Sequence, residues 1–91
     1  MSDVQALLDH HVDRWMTETL MPLMRVLPNK QFLVAVRVGL QYRKSGPFTA
    51  IDVDEVAALA RCSKRTVQRT IKALNGYGAI DRLNRPPEWR N

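Results

Sequence analysis

Apolar and polar positions along this chain repeat mostly with helical rhythm. At about 100° per residue, Val4, Leu7, Leu8, His11, Val12, Trp15 and Thr19 share one side, and Asp9, His10 and Asp13 lie opposite. Ser2, with Gln5 three residues on, has the form of a capping box. Beyond Thr19 the stripe drifts, and Pro22 lacks a donor for the helical ladder. The pattern predicts one helix over about residues 3–20, then a kink or a short second helix to Leu27. Pro28-Asn29 makes a break.

Residues 30–44 carry two rhythms. Phe32, Ala35, Val36, Gly39, Leu40 and Arg43 follow helical spacing, while Val34, Val36, Val38 and Leu40 alternate like a strand. The length of the run favours a helix, which Ser45-Gly46-Pro47 ends. Phe48–Ile51 is a candidate short strand. Asp52 opens a third helix with Glu55 placed for a capping box, and Val53, Val56, Leu59 and Ala60 are expected to form its buried side. Arg61-Cys62 is a tight turn. Ser63 caps a fourth helix running to about Asn75, with Gly76 in the left-handed position that ends it. Ala79–Leu83 reads as a strand, Asn84–Pro87 as a turn, and Glu88–Asn91 as a short return strand or a loose end.

Charge changes this picture. Residues 1–60 carry six basic groups against seven acidic, whereas residues 61–91 carry eight against two. The overall charge of +5 therefore resides in the last third, which becomes the candidate polyanion-binding region. The 91 residues make one domain, or one domain with an appendage, with little room for a deep catalytic cleft. The single cysteine, Cys62, excludes an intramolecular disulfide and a Cys-based zinc cluster. No apolar run approaches the ~18–20 residues of a membrane span, and Asp3 and Asp9 interrupt any signal-peptide pattern. These features predict a cytoplasmic, globular, basic protein.

Two short helices joined by a turn of about three residues suggest a helix-turn-helix. The fourth helix sharpens the test. With Val67 at zero, Leu74 falls near 340°, Ile71 near 40° and Thr70 near 300°, which makes a core face. Gln68, Lys72, Arg65 and Arg69 fall between about 100° and 200°, opposite that face. A recognition helix needs this arrangement, because one side must anchor while the other offers long side chains to a groove. Arginine can fork onto guanine and glutamine onto adenine. Ser63 and Thr66, at the helix start, suit phosphate oxygens. The bland alternative is a solvated basic face, but such faces usually mix glutamate with lysine. From Arg61 to Tyr77 there is no acidic residue.

The stretch from Val56 to Arg69, with Ser63-Lys64-Arg65-Thr66-Val67-Gln68-Arg69 at its centre, resembles the helix-turn-helix core of winged-helix DNA-binding proteins. Ile71–Leu74 and Tyr77–Ile80 extend the likeness, which covers residues 28–83. It is closest to the modules of phage and plasmid replication proteins and of small bacterial regulators. The resemblance implies a mainly α fold with a small β wing: a winged helix-turn-helix domain over residues 28–91 behind an N-terminal helical extension, residues 1–27. It implies DNA contacts by Ser63, Lys64, Arg65, Thr66, Gln68, Arg69 and Lys72. Arg82 and Arg85 on the wing would reach phosphates or an adjacent minor groove. Two departures stand out. The turn position that is often glycine in this family is Arg61, and Pro86 and Pro87 interrupt the wing.

Leu8, Val12 and Trp15 line the first helix. They either pack on the domain or form a homodimer interface, and the resemblance supports the dimer, which would present two recognition helices about one DNA turn apart. His10 and His11 point about 100° apart and converge on no metal. Cys62 beside a helix start could have a lowered thiol pKa, though a small buried turn residue is the commoner role. Met16, Met21 and Met24 are read as core filler, and Trp89 as packing over the wing root. No phosphate loop, nucleophile–base set or converging carboxylate pair is present, so neither an enzyme nor a cofactor is expected. Double-stranded DNA is the expected partner. The competing reading is a protein-interaction module on the same scaffold, an inhibitor or adaptor working through its N-terminal helix.

Overall fold

The computed structural model describes residues 2–46, 50–81 and 86. Four α-helices appear in chain order: α1 (Ser2–Arg14), α2 (Asn29–Ser45), α3 (Val53–Ala60) and α4 (Lys64–Gly76). Between α1 and α2 the chain continues as a π-helical stretch, Trp15–Leu20, and a 3₁₀ stretch, Met21–Arg25.

The drift of the apolar stripe beyond Thr19 accompanies this change of winding, which begins earlier, at Trp15. At α-helical stepping Leu20 would lie about 140° away from Trp15. The wider π turn, with the Met21 N–H donating to the Met16 carbonyl five residues back, returns Leu20 to the core side. Trp15 and Leu20 are both buried. Pro22 then sits at the start of the 3₁₀ stretch, where its missing donor costs little. Gly39 of α2 lets this winding approach. A Cβ there would come within 2.8 Å of the Met16 sulfur and 3.1 Å of the Trp15 ring.

Helix α2 is the central element, packed by α1, α3 and α4. Its Val34, Ala35, Val38 and Tyr42 join Val12, Trp15, Leu20 and Leu27 from the N-terminal side. Val56, Ala57, Val67, Leu74, Ala79 and Ile80 close the same core from the other side. Residues 1–27 and the helices after them thus share one hydrophobic cluster. Trp15 stacks edge-on against Tyr42 at 5.6 Å, and its Nε1–H donates to the Ala79 carbonyl at 2.8 Å. Burial, and then the nearby Asp81 carboxylate, hold the Tyr42 hydroxyl above its ordinary pKa.

The expected small β wing is corrected here: among the described residues there is no strand. Of the Ala79–Leu83 candidate, residues 79–81 are described and form no strand, for a local reason. The Ala79 N–H donates to the Leu74 carbonyl at 2.9 Å, and its own carbonyl accepts from Trp15. Both ladder groups are therefore taken. Ala79 and Ile80 are also both buried, which a two-faced wing strand would not allow. Of the Phe48–Ile51 candidate, Ala50 and Ile51 are not in a strand, and the rest lies outside the described residues. So do Arg82–Arg85 and the 87–91 segment expected to form the wing and its return.

The glycine that ends α4 is also corrected. Gly76 is helical, and Gly78 takes the left-handed position with φ 77°. Its N–H bonds to the Asn75 carbonyl while Ala79 reaches back to Leu74, a Schellman closure with Leu74 and Ala79 as its apolar contact. Burying Ala79 beside Leu74 sets that register.

Candidate nucleic-acid interface

Helices α3 and α4 are joined by Arg61, Cys62 and Ser63. Arg61 has φ 55° and ψ 49°, the left-handed conformation usually left to glycine. Its N–H bonds to the Ala58 carbonyl, and the Cys62 N–H to the Ala57 carbonyl at 3.0 Å. This is a second Schellman closure, and Cys62 packs on the core side with Ala57. The closure offsets the ~1–2 kcal/mol that the left-handed backbone costs a residue with a Cβ. The turn thus holds a left-handed residue without a glycine.

Both helix starts are capped. The Asp52 carboxylate accepts from the Glu55 N–H at 3.0 Å, as the sequence predicts. The return half of that box is replaced, because Gln41 of α2 accepts the Asp52 N–H at 2.9 Å. Glu55 is drawn instead to Lys44 at 3.0 Å and Gln41 at 3.1 Å. These hydrogen bonds, Lys44 first, hold its carboxyl below the ordinary glutamate pKa. At the second start, the Ser63 hydroxyl accepts from the Thr66 N–H at 3.2 Å and lies 3.1 Å from the Thr66 hydroxyl. The two hydroxyls expected on phosphate are thus engaged with each other and with the cap.

Val67, Thr70 and Leu74 of α4 are buried, and Thr70 satisfies its hydroxyl on the Thr66 carbonyl at 2.8 Å. Arg65, Gln68, Arg69 and Lys72 are exposed on the opposite side. Among the described residues no carboxylate pairs with Arg65, Arg69 or Lys72. Lys64 differs: its ammonium lies 3.2 Å from the Asp54 carboxylate of α3. Arg82 and Arg85 lie outside the described residues.

Two residues of this surface escape sequence reasoning. Arg61 is exposed in the turn, and the glycine-like φ that fixes its backbone is not written in its residue type. Asp54 faces Lys64 from ten positions away, across a turn whose geometry no helical spacing encodes.

The residues expected at a dimer interface are placed differently. Val12 and Trp15 are fully buried in the chain's own core, and Leu8 packs partly against it. The exposed apolar residues of α1 are Val4 and Leu7. Its acids Asp9 and Asp13 both reach Arg43 of α2, and Gln5 donates to Asp9 at 2.9 Å. Among the described residues no group of three metal-ligating side chains converges. No helix among them is long and apolar enough to cross a membrane. No family model matches this chain, and neither does any curated protein or solved structure.

Proposed function

We propose that this chain is a sequence-reading DNA-binding protein, acting in the cytoplasm as a transcriptional regulator or as an accessory factor of a mobile element. Helix α4 lies in the major groove. Arg65, Gln68, Arg69 and Lys72 read base edges and phosphates, and the capped start of α4 sits toward the backbone. The observation that carries this reading is the outer face of α4, with four long polar side chains exposed and its three outermost cations unopposed by any carboxylate among the described residues. A solvated helix face would instead intersperse acids. Two copies would read two half-sites, and Val4 and Leu7 are the α1 positions open to a second copy.

The test is a fluorescence-anisotropy titration of a random duplex pool at low and moderate salt, with wild type and Arg69→Ala. Log affinity is expected to fall against log salt with a slope of about −0.9 per phosphate neutralised. Selection from the pool is expected to enrich a two-fold symmetric site, and Arg69→Ala to lose that preference. Absence of binding at low salt would reduce the basic face to solvation and end the proposal.

A further inference from the structure

The outer face of α2 carries a second pattern that DNA reading leaves unused. Lys30, Leu33, Arg37, Leu40 and Lys44 are spaced alternately three and four residues apart. At about 100° per residue they fall within a stripe of about 80°, opposite the buried Ala35, Gly39 and Tyr42. The stripe interleaves cations with leucines that the fold leaves open. Leu33 is 59% exposed and Leu40 38%. Leu59 of α3, 52% exposed, joins Leu40 and Val56 along a groove of about 300 Å³ between α2 and α3. Arg37, Gln41, Lys44 and Glu55 line the same groove, which leaves Arg37 as its cation not matched to a carboxylate among the described residues.

Its charges are not equivalent. Lys44 is held by Glu55, itself bound to Gln41. Arg37 has no ion-pair partner among the described residues. From Thr19 to Ile51 the chain has no acidic residue, so among the described residues the stripe is neutralised only at its Lys44 end, by Glu55 of α3. Symmetric pairing of α2 with α2 of a second copy would set Lys30, Arg37 and Lys44 against their own kind, which like-charge repulsion opposes. The exposed leucines make poor contacts for bare phosphate.

We propose that the α2–α3 groove docks an acidic amphipathic helix of a protein partner. The partner's apolar residues fill the space over Leu40, Val56 and Leu59, and a carboxylate takes the Arg37 guanidinium, whose planar fork matches it. This surface stands independently of the DNA reading, because its residues are distinct from those of the outer face of α4.

The probe is a synthetic helix of ~18 residues, about five turns, with leucines at i, i+3 and i+7 flanked by glutamates. A twin carries lysines in place of the glutamates. Each is titrated into the isotope-labelled full chain and followed by backbone NMR shifts. The acidic helix is expected to shift Arg37, Leu40 and Leu59 and their neighbours, and the lysine twin to leave them unmoved. Arg37→Glu is expected to weaken binding roughly tenfold, as a like charge replaces a matched one. Leu59→Gln, a milder exposed change, should weaken it while keeping the wild-type spectrum elsewhere, and Arg69→Ala should leave it intact. Four outcomes would overturn the proposal: no shift, equal binding of both peptides, shifts centred on α4, or self-association of the chain through this face by sedimentation.

Discussion

Helices α1 and α4 each present a charged face, and they use it in opposite ways. On α1, Asp9 and Asp13 are turned onto Arg43 of α2, and Glu18 just beyond pairs with Arg14. Those charges are spent inside the chain, and the two on Arg43 staple the N-terminal helix to the central one. On α4, Lys64 is paired with Asp54, and among the described residues no carboxylate pairs with Arg65, Arg69 or Lys72. Helical periodicity describes the two faces equally well. What separates them is whether a neighbouring element supplies the opposite charge, and that separates an internal fastening from a surface offered outward.

The largest expected effect tests whether α1 belongs to the fold at all. Trp15 is fully buried, stacked on Tyr42 and bonded to Ala79, so it ties the N-terminal winding to the end of α4. Trp15→Ala is expected to lose about 3–5 kcal/mol in urea unfolding, as large aromatic truncations in cores do. A loss nearer that of an ordinary surface change would make residues 1–27 a detachable arm and dissolve the contrast. Next comes the open face. Arg69→Ala is expected to cost ~1–3 kcal/mol of binding to the preferred duplex, with unfolding unchanged. A matching loss of stability would place Arg69 among the internal fastenings instead. Smaller again is Arg43→Met, which leaves Asp9 and Asp13 without their partner. The three side chains are all more than a third exposed, so solvent screening limits the expected loss to about 1 kcal/mol, lessened further by added salt.

The four helices were legible because each buries a stripe at helical spacing, and the exposure of Arg65, Gln68, Arg69 and Lys72 followed from the angle each makes with Val67. Other features depend on partners distant in sequence. The stripe of α1 runs on past Trp15 only because a π turn rewinds it, and that turn is decided by what Leu20 must reach on α2. Ala79–Leu83 alternates like a strand, yet Ala79 is claimed by Leu74 and Trp15, one of them sixty-four residues away. Gly76 and Gly78 are equal as left-handed candidates until the burial of Ala79 chooses between them. Val12 and Trp15 lie on the apolar face of α1 as expected, but that face alone does not say whether it meets this chain or another.

Among the described residues, the two uses of charge meet on the candidate interface at the Asp54–Lys64 pair. If α4 reads DNA, Asp54 holds back one cation and sets a carboxylate beside the phosphates. Asp54→Asn is therefore expected to raise duplex affinity a few-fold at low salt and to steepen the salt slope by up to about one phosphate's share. Unchanged affinity and slope would mean that Lys64 stands clear of the duplex.

The smallest expected effect concerns Glu55, a fastening charge at the edge of the same helix pair. Its folded pKa lies below the ordinary value because Lys44 and Gln41 bond the carboxylate. A group depressed in this way contributes stability above its unfolded pKa of about 4.3, and the contribution is lost as pH falls through the folded value. Urea unfolding of wild type and Glu55→Gln should thus differ at pH 7, and the difference should shrink as pH falls from the ordinary glutamate pKa through the lower folded one. The side chain is exposed enough for the gap to be slight and for salt to narrow it. Lys44→Met should remove most of the same pH dependence, since Lys44 is the larger cause. If it does not, Gln41 and the α3 start hold Glu55 largely by themselves, and the clasp between α2 and α3 is one of hydrogen bonds more than of charge.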